Sequence, residues 1–479
     1  MKTHAPLLPL AVCLMAGIAA SEWIADWTTA LWSLAGAVAI SLALGRWPRW
    51  QTAGIAVCAL LTGLTLGSRQ RQQQDVAWPK EPLELETIVI DEPVVRDWWV
   101  VTNMLTADGR HKLRCHIARD NWSEQITVGD GILMSAAVEA GVCFVKGGRW
   151  RWQDVTLSHL SVVQRARLRF LSWRHTLLQR YRQWGMADEA YGIIAAMTLG
   201  EKSQLDPALK DTYSRVGASH ILALSGLHLM IIYTVLSLLT GWHRFRTASQ
   251  AVIILAIWAF ALLTGLSPSV TRSATMISIY ALLSLGYRER MSVNTLAFTA
   301  ILMLAINPHA LYDLGFQLSF TAVLAILLFN PLFHHLIAPH VLQQHRWLAG
   351  VWGLLTVSLS AQIGTAPLII YYFGRFSTYF LLSNLIVIPL ATILLYTALT
   401  SLCLWWWPWL HQWLVAALTA VASLMNRLLE RVAALPYSSI DGISLSTLQL
   451  SLLYVMIGGL YIFLYLLLSH RVFQARADM

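Results

Sequence analysis

Long apolar runs, broken by short charged or Gly/Pro-containing turns, dominate most of the chain. Near the N-terminus they are Leu7–Ala20, 30–44 and 53–66. From about 69 to 160 the pattern changes to short alternating stretches, and from 191 onward long apolar runs return. A helix crossing the hydrocarbon layer needs about 20 residues. The three N-terminal runs are short for that, so their ends stay open; interfacial Trp and tilt compensate only in part. Later spans are expected to begin near Ile221, Ala251, Ser269, Val293, Leu314, Leu348, Tyr379 and Leu450. A further apolar stretch, 414–434, carries Arg427, Glu430 and Arg431 and is expected to lie in the interface.

Within the polar stretch, 83–90, 95–106 and 111–118 alternate as strands do, with Asp108-Gly109 as a hairpin turn. The segment 126–139 adds Val128-Gly129-Asp130-Gly131 and another strand. About five short strands in this space suggest a small barrel, the OB fold being one form and any small β domain the alternative. Cys115 and Cys143 fall on or beside these strands. They are either a disulfide, if the domain lies outside the cytoplasm, or two reduced core thiols. Cys13, Cys58 and Cys403 sit in apolar runs as small packing residues.

Composition settles the class. Of 479 residues, 57% are hydrophobic and 12% charged, against roughly 25% charged in a soluble domain. Several soluble surfaces cannot be coated with so few charges. The 22 Trp suit interfacial belts. The expected fold is therefore a polytopic α-helical membrane protein with a small extracytoplasmic all-β, OB-like domain inserted after three N-terminal helices. Its parts are 1–68 (three helices), 69–160 (β domain), 161–186 (an Arg-rich interfacial helix) and 187–479 (a polytopic domain).

The net charge is +9, but it is not spread evenly. Residues 69–160 hold 11 Lys and Arg against 13 Asp and Glu, a net of −2. Residues 161–186 hold six Arg and no acid: Arg165, Arg167, Arg169, Arg174, Arg180 and Arg182. That helix either snorkels Arg to headgroups or forms a phosphate-contacting collar at a channel mouth. In the β domain, Arg110, Lys112 and Arg114 form a local cationic cluster, and Trp98, Trp99, Trp122, Trp150 and Trp152 are candidates to stack on bases. A solvated hairpin and structural Trp are the alternatives.

Charge also orients the chain. Lys2 inside, Glu22 and Asp26 outside, and Arg46 and Arg49 inside place the β domain outside the cytoplasm. Arg69 and Arg71 on that outer side run against this. The first run also fits a signal peptide, with small residues at 17–20. Basic loops at Arg244/Arg246, Arg288/Arg290 and Arg346 alternate with loops poor in Lys and Arg, as a cytoplasmic side should. His334, His335, His340 and His345 cluster after Asn330 without carboxylate or Cys, and read as a solvated loop rather than a metal site.

The densest polar signal in an apolar setting is Gly217-Ala218-Ser219-His220-Ile221-Leu222-Ala223-Leu224-Ser225-Gly226-Leu227-His228. Polar groups at membrane depth are expensive and face a cavity, a pore or one another. Three readings stay open: the lining of a conduit, an intramembrane hydrolase with Ser225 as nucleophile and His228 as base, or inter-helix hydrogen bonding. Further polar points are Pro268 with Arg272, Asp313 with Gln317, Gln362 with Pro367, and Asn384 with Pro389. Arg272 and Asp313 are a candidate ion pair. Gly/Pro-interrupted helices with amides and charges suggest a path for a polar substrate.

Leu199-Gly200-Glu201 through Arg215, Gly217 and His220–His228 resembles the signature of the ComEC competence family of inner-membrane DNA-uptake channels. The blocks around Pro268/Arg272, Gly315–Phe320, Gln362…Pro367…Tyr372-Phe373-Gly374 and Asn384…Pro389 are similar to later family blocks, in order. The resemblance implies translocation of a single DNA strand across the cytoplasmic membrane during natural transformation. It implies a disulfide between Cys115 and Cys143, and a lining or structural role for His220, Ser225, Gly226 and His228. Partners implied are single-stranded DNA, the lipid bilayer, a DNA receptor, a cytoplasmic ATPase or helicase and strand-binding proteins, with a homo-oligomer open; no cofactor or metal is called for. Many members carry a metallo-β-lactamase-like domain with His-x-His-x-Asp-His, a motif this sequence lacks, so no enzymatic activity is expected. The alternatives are a transporter of another polar or anionic solute and the Ser225 hydrolase.

Overall fold

The computed structural model describes residues 5–23, 26–74, 78–79, 81–139, 141–154, 160–240, 246–285 and 292–477. The topology markers Lys2, Arg244, Arg288 and Arg290 and the side chain of Arg246 lie outside what is described.

Three helices open the chain: α1 (Leu7–Ala20), α2 (Trp27–Ala43) and α3 (Pro48–Gln74). Asp26 starts α2 by accepting from the Thr28 amide at 3.0 Å. α1 is built into the fold: Leu14 and Ile18 pack with Leu296, Phe316 and Phe320. A Cβ on Gly17 would lie 1.8 Å from the Leu60 carbonyl oxygen, so only glycine lets α1 and α3 approach this closely. α3 also runs further than its apolar stretch. Arg69 and Arg71, which the sequence assigns to the polar domain, are on its final turns. Arg71 is accommodated there because Nη1 donates to the Glu22 carbonyl at 3.0 Å.

The β domain holds β1 (Leu83–Val89), β2 (Val94–Val95), β3 (Trp99–Thr106), β4 (Lys112–Ala118), β5 (Gly131–Ala136), β6 (Val138–Glu139), β7 (Val142–Val145) and β8 (Trp150–Trp152). The main strand order is β7-β4-β3-β1-β5, antiparallel except for a parallel β4–β7 pair. β7 also approaches β5, which brings the two ends of the row together. This Greek-key order with one parallel pair is that of a five-stranded OB-like barrel. Alternation directs Leu113, Cys115 and Ile117 of β4 inward, to pack with Val89, Met104, Ile132, Met134 and Val145, and leaves Lys112 and Arg114 exposed.

The remaining helices are α4 (Val162–Gln183), α5 (Asp188–Leu199), α6 (Pro207–Arg215), α7 (Ser219–Leu222), α8 (Gly226–Leu239), α9 (Arg246–Leu263), α10 (Pro268–Leu285), α11 (Val293–Ile306), α12 (Leu314–His334), α13 (Pro339–Gln344), α14 (Arg346–Phe373), α15 (Phe380–Cys403), α16 (Pro408–Ala433) and α17 (Thr447–Ala477). Two short strands, β9 (Arg375–Ser377) and β10 (Ser439–Asp441), pair antiparallel beyond α14 and α16. Among the described residues, seven helices are long and apolar enough to cross a membrane: α2, α3, α12, α14, α15, α16 and α17. The protein is thus a polytopic helical membrane protein with a small OB-like domain after three N-terminal helices.

The stretch 414–434, expected in the interface, belongs to α16. It is one continuous helix long enough to span, with Arg427, Glu430 and Arg431 confined to its last turns. Met425 and Leu429 pack with Ile193, Ile194 and Met197 of α5, which is almost wholly buried. The span expected to begin near Ile221 is interrupted, because the chain breaks between α7 and α8.

Candidate functional site

The break is local chemistry. Ala223 and Ser225 are extended, so α7 ends and α8 begins anew at Gly226. The Ser225 amide donates to His228 Nδ1 at 3.2 Å, so Nδ1 carries no proton. The Ser225 hydroxyl is 2.9 Å from the same nitrogen and donates to it. His228 therefore closes a capping box on the first turn of α8. It is fully buried, and its Nε2 has no partner among the described residues. His220 is exposed, with Nδ1 3.2 Å from the Gly217 carbonyl.

Gly226 faces Ser273 of α10, next to Arg272. The Arg272 side chain is buried, and Nη1 donates to Asp313 Oδ1 at 2.9 Å. The same Oδ1 accepts from the Phe316 amide at 2.8 Å, which starts α12. A Cβ on Gly315 would lie 2.5 Å from Arg272 Nη2, so glycine is needed for the guanidinium to fit. Gln317 continues the string, donating to the Leu311 carbonyl at 3.0 Å and accepting from Tyr372 Oη at 3.1 Å. The structure thus brings together Ser225, Gly226, His228, Arg272, Asp313 and Gln317 on the first turns of α8, α10 and α12. Among the described residues no hydrogen bond ties Gln362 or Asn384 to this string. Gln362 is half-buried on α14, and Asn384 Oδ1 on α15 is buried without a partner.

α4 is a strut. Its capping-box residue Gln164 donates to the Gly109 carbonyl of the β domain at 2.8 Å, and His175 Nδ1 lies 3.0 Å from Glu92. On the other side Arg174 pairs with Glu201, both side chains buried. This corrects one expectation. Arg174 is not a phosphate contact, because its charge is consumed by an internal partner that sequence inspection missed. Arg165 and Arg169 are exposed, and Arg167 is half-buried. Arg180 stacks over Trp405 at 5.0 Å and Arg182 over Tyr191 at 5.4 Å.

On the outer face of β3, β4 and β7, Phe144 packs against His116 at 4.8 Å and Trp99 at 5.8 Å between ring centres. Burial, then the nearby charges of Arg114 and Arg96, hold His116 below the ordinary imidazole pKa. Trp98 and Trp122 are 80% and 65% exposed, so they are available to a flat partner. Trp150 instead packs against the domain core, with Trp152 edge-on to it. Arg110 is exposed at the hairpin, while Lys112 lies 3.7 Å from Asp91. Cys115 and Cys143 are opposite one another in the β4–β7 register, with sulfurs 2.8 Å apart, and are free thiols. Hydrogen bonding to Cys143 and burial raise the Cys115 thiol well above its ordinary pKa.

No three His, Cys, Asp or Glu side chains among the described residues are grouped to hold a metal ion.

The profile of the Competence protein family matches residues 197–470, more than half of the chain and all of the polar string. ComE operon protein 3 of Bacillus subtilis is 28% identical over 51% of this chain and 30% of its own length. An uncharacterised protein of Aquifex aeolicus is 32% identical over 41% of this chain and 44% of its own length. Competence protein ComA of Neisseria gonorrhoeae is 28% identical over 32% of this chain and 24% of its own length. The chain therefore spans less than half the length of each of these relatives. No solved structure matches it. By the extent of the matched profile and the relatives that share it, the chain belongs to the competence protein family.

Proposed function

We propose that the protein conducts a single DNA strand across the cytoplasmic membrane, with the β domain on the outer side. The observation that carries this is the interrupted helix at 223–225, which sets the first turn of α8, with Ser225 and His228, against α10, where buried Arg272 pairs with the exposed Asp313. A phosphodiester chain crossing a membrane needs polar groups at depth and backbone that can approach it, and broken helices supply both. The face carrying Trp99 on β3, Arg114 and His116 on β4 and Phe144 on β7 includes the second and third long strands of the barrel, the strands by which OB folds bind oligonucleotides, and Trp98 flanks it. Exposed Arg110, Arg165 and Arg169, with half-buried Arg167, supply charge between that face and the helices. Direction comes from a cytoplasmic ATPase or helicase and from strand capture. An oxidised Cys115–Cys143 bond would pin β4 to β7.

The 2.9 Å Ser225–His228 contact is what an intramembrane hydrolase would need. Here His228 Nδ1 also holds the Ser225 amide, and among the described residues no carboxylate orients Nε2, an arrangement that caps a helix. Deletion of the gene in a transformable strain is expected to abolish DNA uptake, and normal uptake would refute the role. Ser225→Ala is expected to reduce uptake in part; complete loss of a hydrolytic turnover would favour the enzyme.

A further inference from the structure

Where α1 and α3 end, a cavity of about 170 Å³ opens between them and the 308–312 turn that precedes α12. Glu22, Arg71, His309 and Tyr312 line it, with Ser21 behind. Arg71 Nη1 donates to the carbonyls of Ser21 (3.4 Å) and Glu22 (3.0 Å), at the negative end of the α1 dipole. Tyr312 Oη donates to the Ile18 carbonyl at 3.3 Å and lies beside the Glu22 carboxylate. His309 Nε2 is buried and without a partner among the described residues, and so is Gln70 Oε1, although Gln70 Nε2 donates to Asn307 at 2.9 Å. The cavity therefore offers donors and acceptors of both kinds: a guanidinium and an imidazole, and a carboxylate and a phenol.

Its level matters. Glu22 follows the apolar α1, and Arg71 follows the apolar stretch of α3. A bilayer around these apolar stretches would set both residues at the level of the headgroups. We propose that this cavity binds the phosphoethanolamine headgroup of a phospholipid. Its phosphate would lie on Arg71 and His309, and its ammonium on Glu22 and Tyr312. A phosphoglycerol headgroup brings no cation to Glu22. A trimethylated ammonium cannot donate a hydrogen bond there. The wall of the cavity runs straight into Asp313, the partner of Arg272, so a bound headgroup would brace the start of α12. This reading does not depend on DNA transport.

The test is native mass spectrometry of the full chain with equimolar phosphatidylethanolamine, phosphatidylglycerol and phosphatidylcholine of the same acyl chains. Wild type is expected to retain the ethanolamine lipid about tenfold over the others. Arg71→Gln should abolish the preference, and Glu22→Gln should shift it toward phosphatidylglycerol. Equal retention of all three lipids by wild type, or an unchanged preference in Glu22→Gln, would overturn the proposal. If Arg71→Gln does not elute as folded protein on size exclusion, Glu22→Gln decides alone. Glycerophosphoethanolamine competing as well as the lipid would assign the cavity to a soluble solute and refute the lipid reading.

Discussion

The β domain and the helical region solve opposite problems. In the barrel, polar side chains face out and the core is Val89, Met104, Leu113, Ile117, Ile132 and Val145. In the helical region the exterior is apolar and chemistry sits inside: His228, Arg272 and the Arg174–Glu201 pair are buried. The same kind of residue therefore carries different energy in the two places. An exposed charge on β4 is worth little to stability, whereas stranding a buried one is costly.

The largest expected effect probes that contrast. Glu201→Ala leaves Arg174 buried and unpaired and should destabilise the chain by about 3–5 kcal/mol. Arg174→Met combined with Glu201→Leu should restore most of it, since an apolar pair strands no charge. Denaturation of the purified chain in detergent reads both; equal stability of Glu201→Ala and wild type would break the comparison. Next comes the Cys115–Cys143 pair between β4 and β7. If Cys115 and Cys143 are oxidised, reduction should cost about 3 kcal/mol, seen as faster amide exchange in β4 and β7. An intact mass showing two free thiols in protein isolated without reductant would exclude the bond.

Smaller effects belong to the outer face. Trp98→Ala and Trp122→Ala are each expected to weaken single-strand binding about tenfold through lost stacking, with no loss of stability. Unchanged affinity in the double variant would move the DNA face elsewhere. The smallest is a pH effect at His116. Its pKa is held low by burial and then by Arg114 and Arg96. A phosphate there would stabilise the imidazolium and raise the pKa, so binding takes up a proton and strengthens as pH falls. Titrating affinity between about pH 8 and 5.5 should show a few-fold gain that His116→Gln loses.

The two regions also differed in how far they could be read from sequence. Strand alternation has period two and one wet face, so the hairpin at Asp108-Gly109 and the inward set on β4 were legible. Membrane helices are apolar all round and show no face, so their packing was not. Ser225, His228 and Arg272 stood out because polar residues in apolar runs are conspicuous. The pairing of Arg174 was hidden because it looks like the five other Arg of its segment, and Glu201 lies beyond the next helix. The length of α3 was masked by Arg69 and Arg71, whose charges suggested a domain boundary. The break after Leu222 was invisible in hydropathy and comes from the Ser225–His228 cap.

The central claim is that the polar string at the starts of α8, α10 and α12 forms part of a path for a DNA strand. Entry of a fluorescent single strand into proteoliposomes holding the purified chain tests it most directly, with the strand captured inside by a trapped binding protein. Wild type should accumulate the strand above protein-free vesicles, and Arg272→Gln, checked for folding, should lower the rate at least about tenfold. Equal accumulation with and without the protein, or an Arg272→Gln rate equal to wild type, would contradict the account.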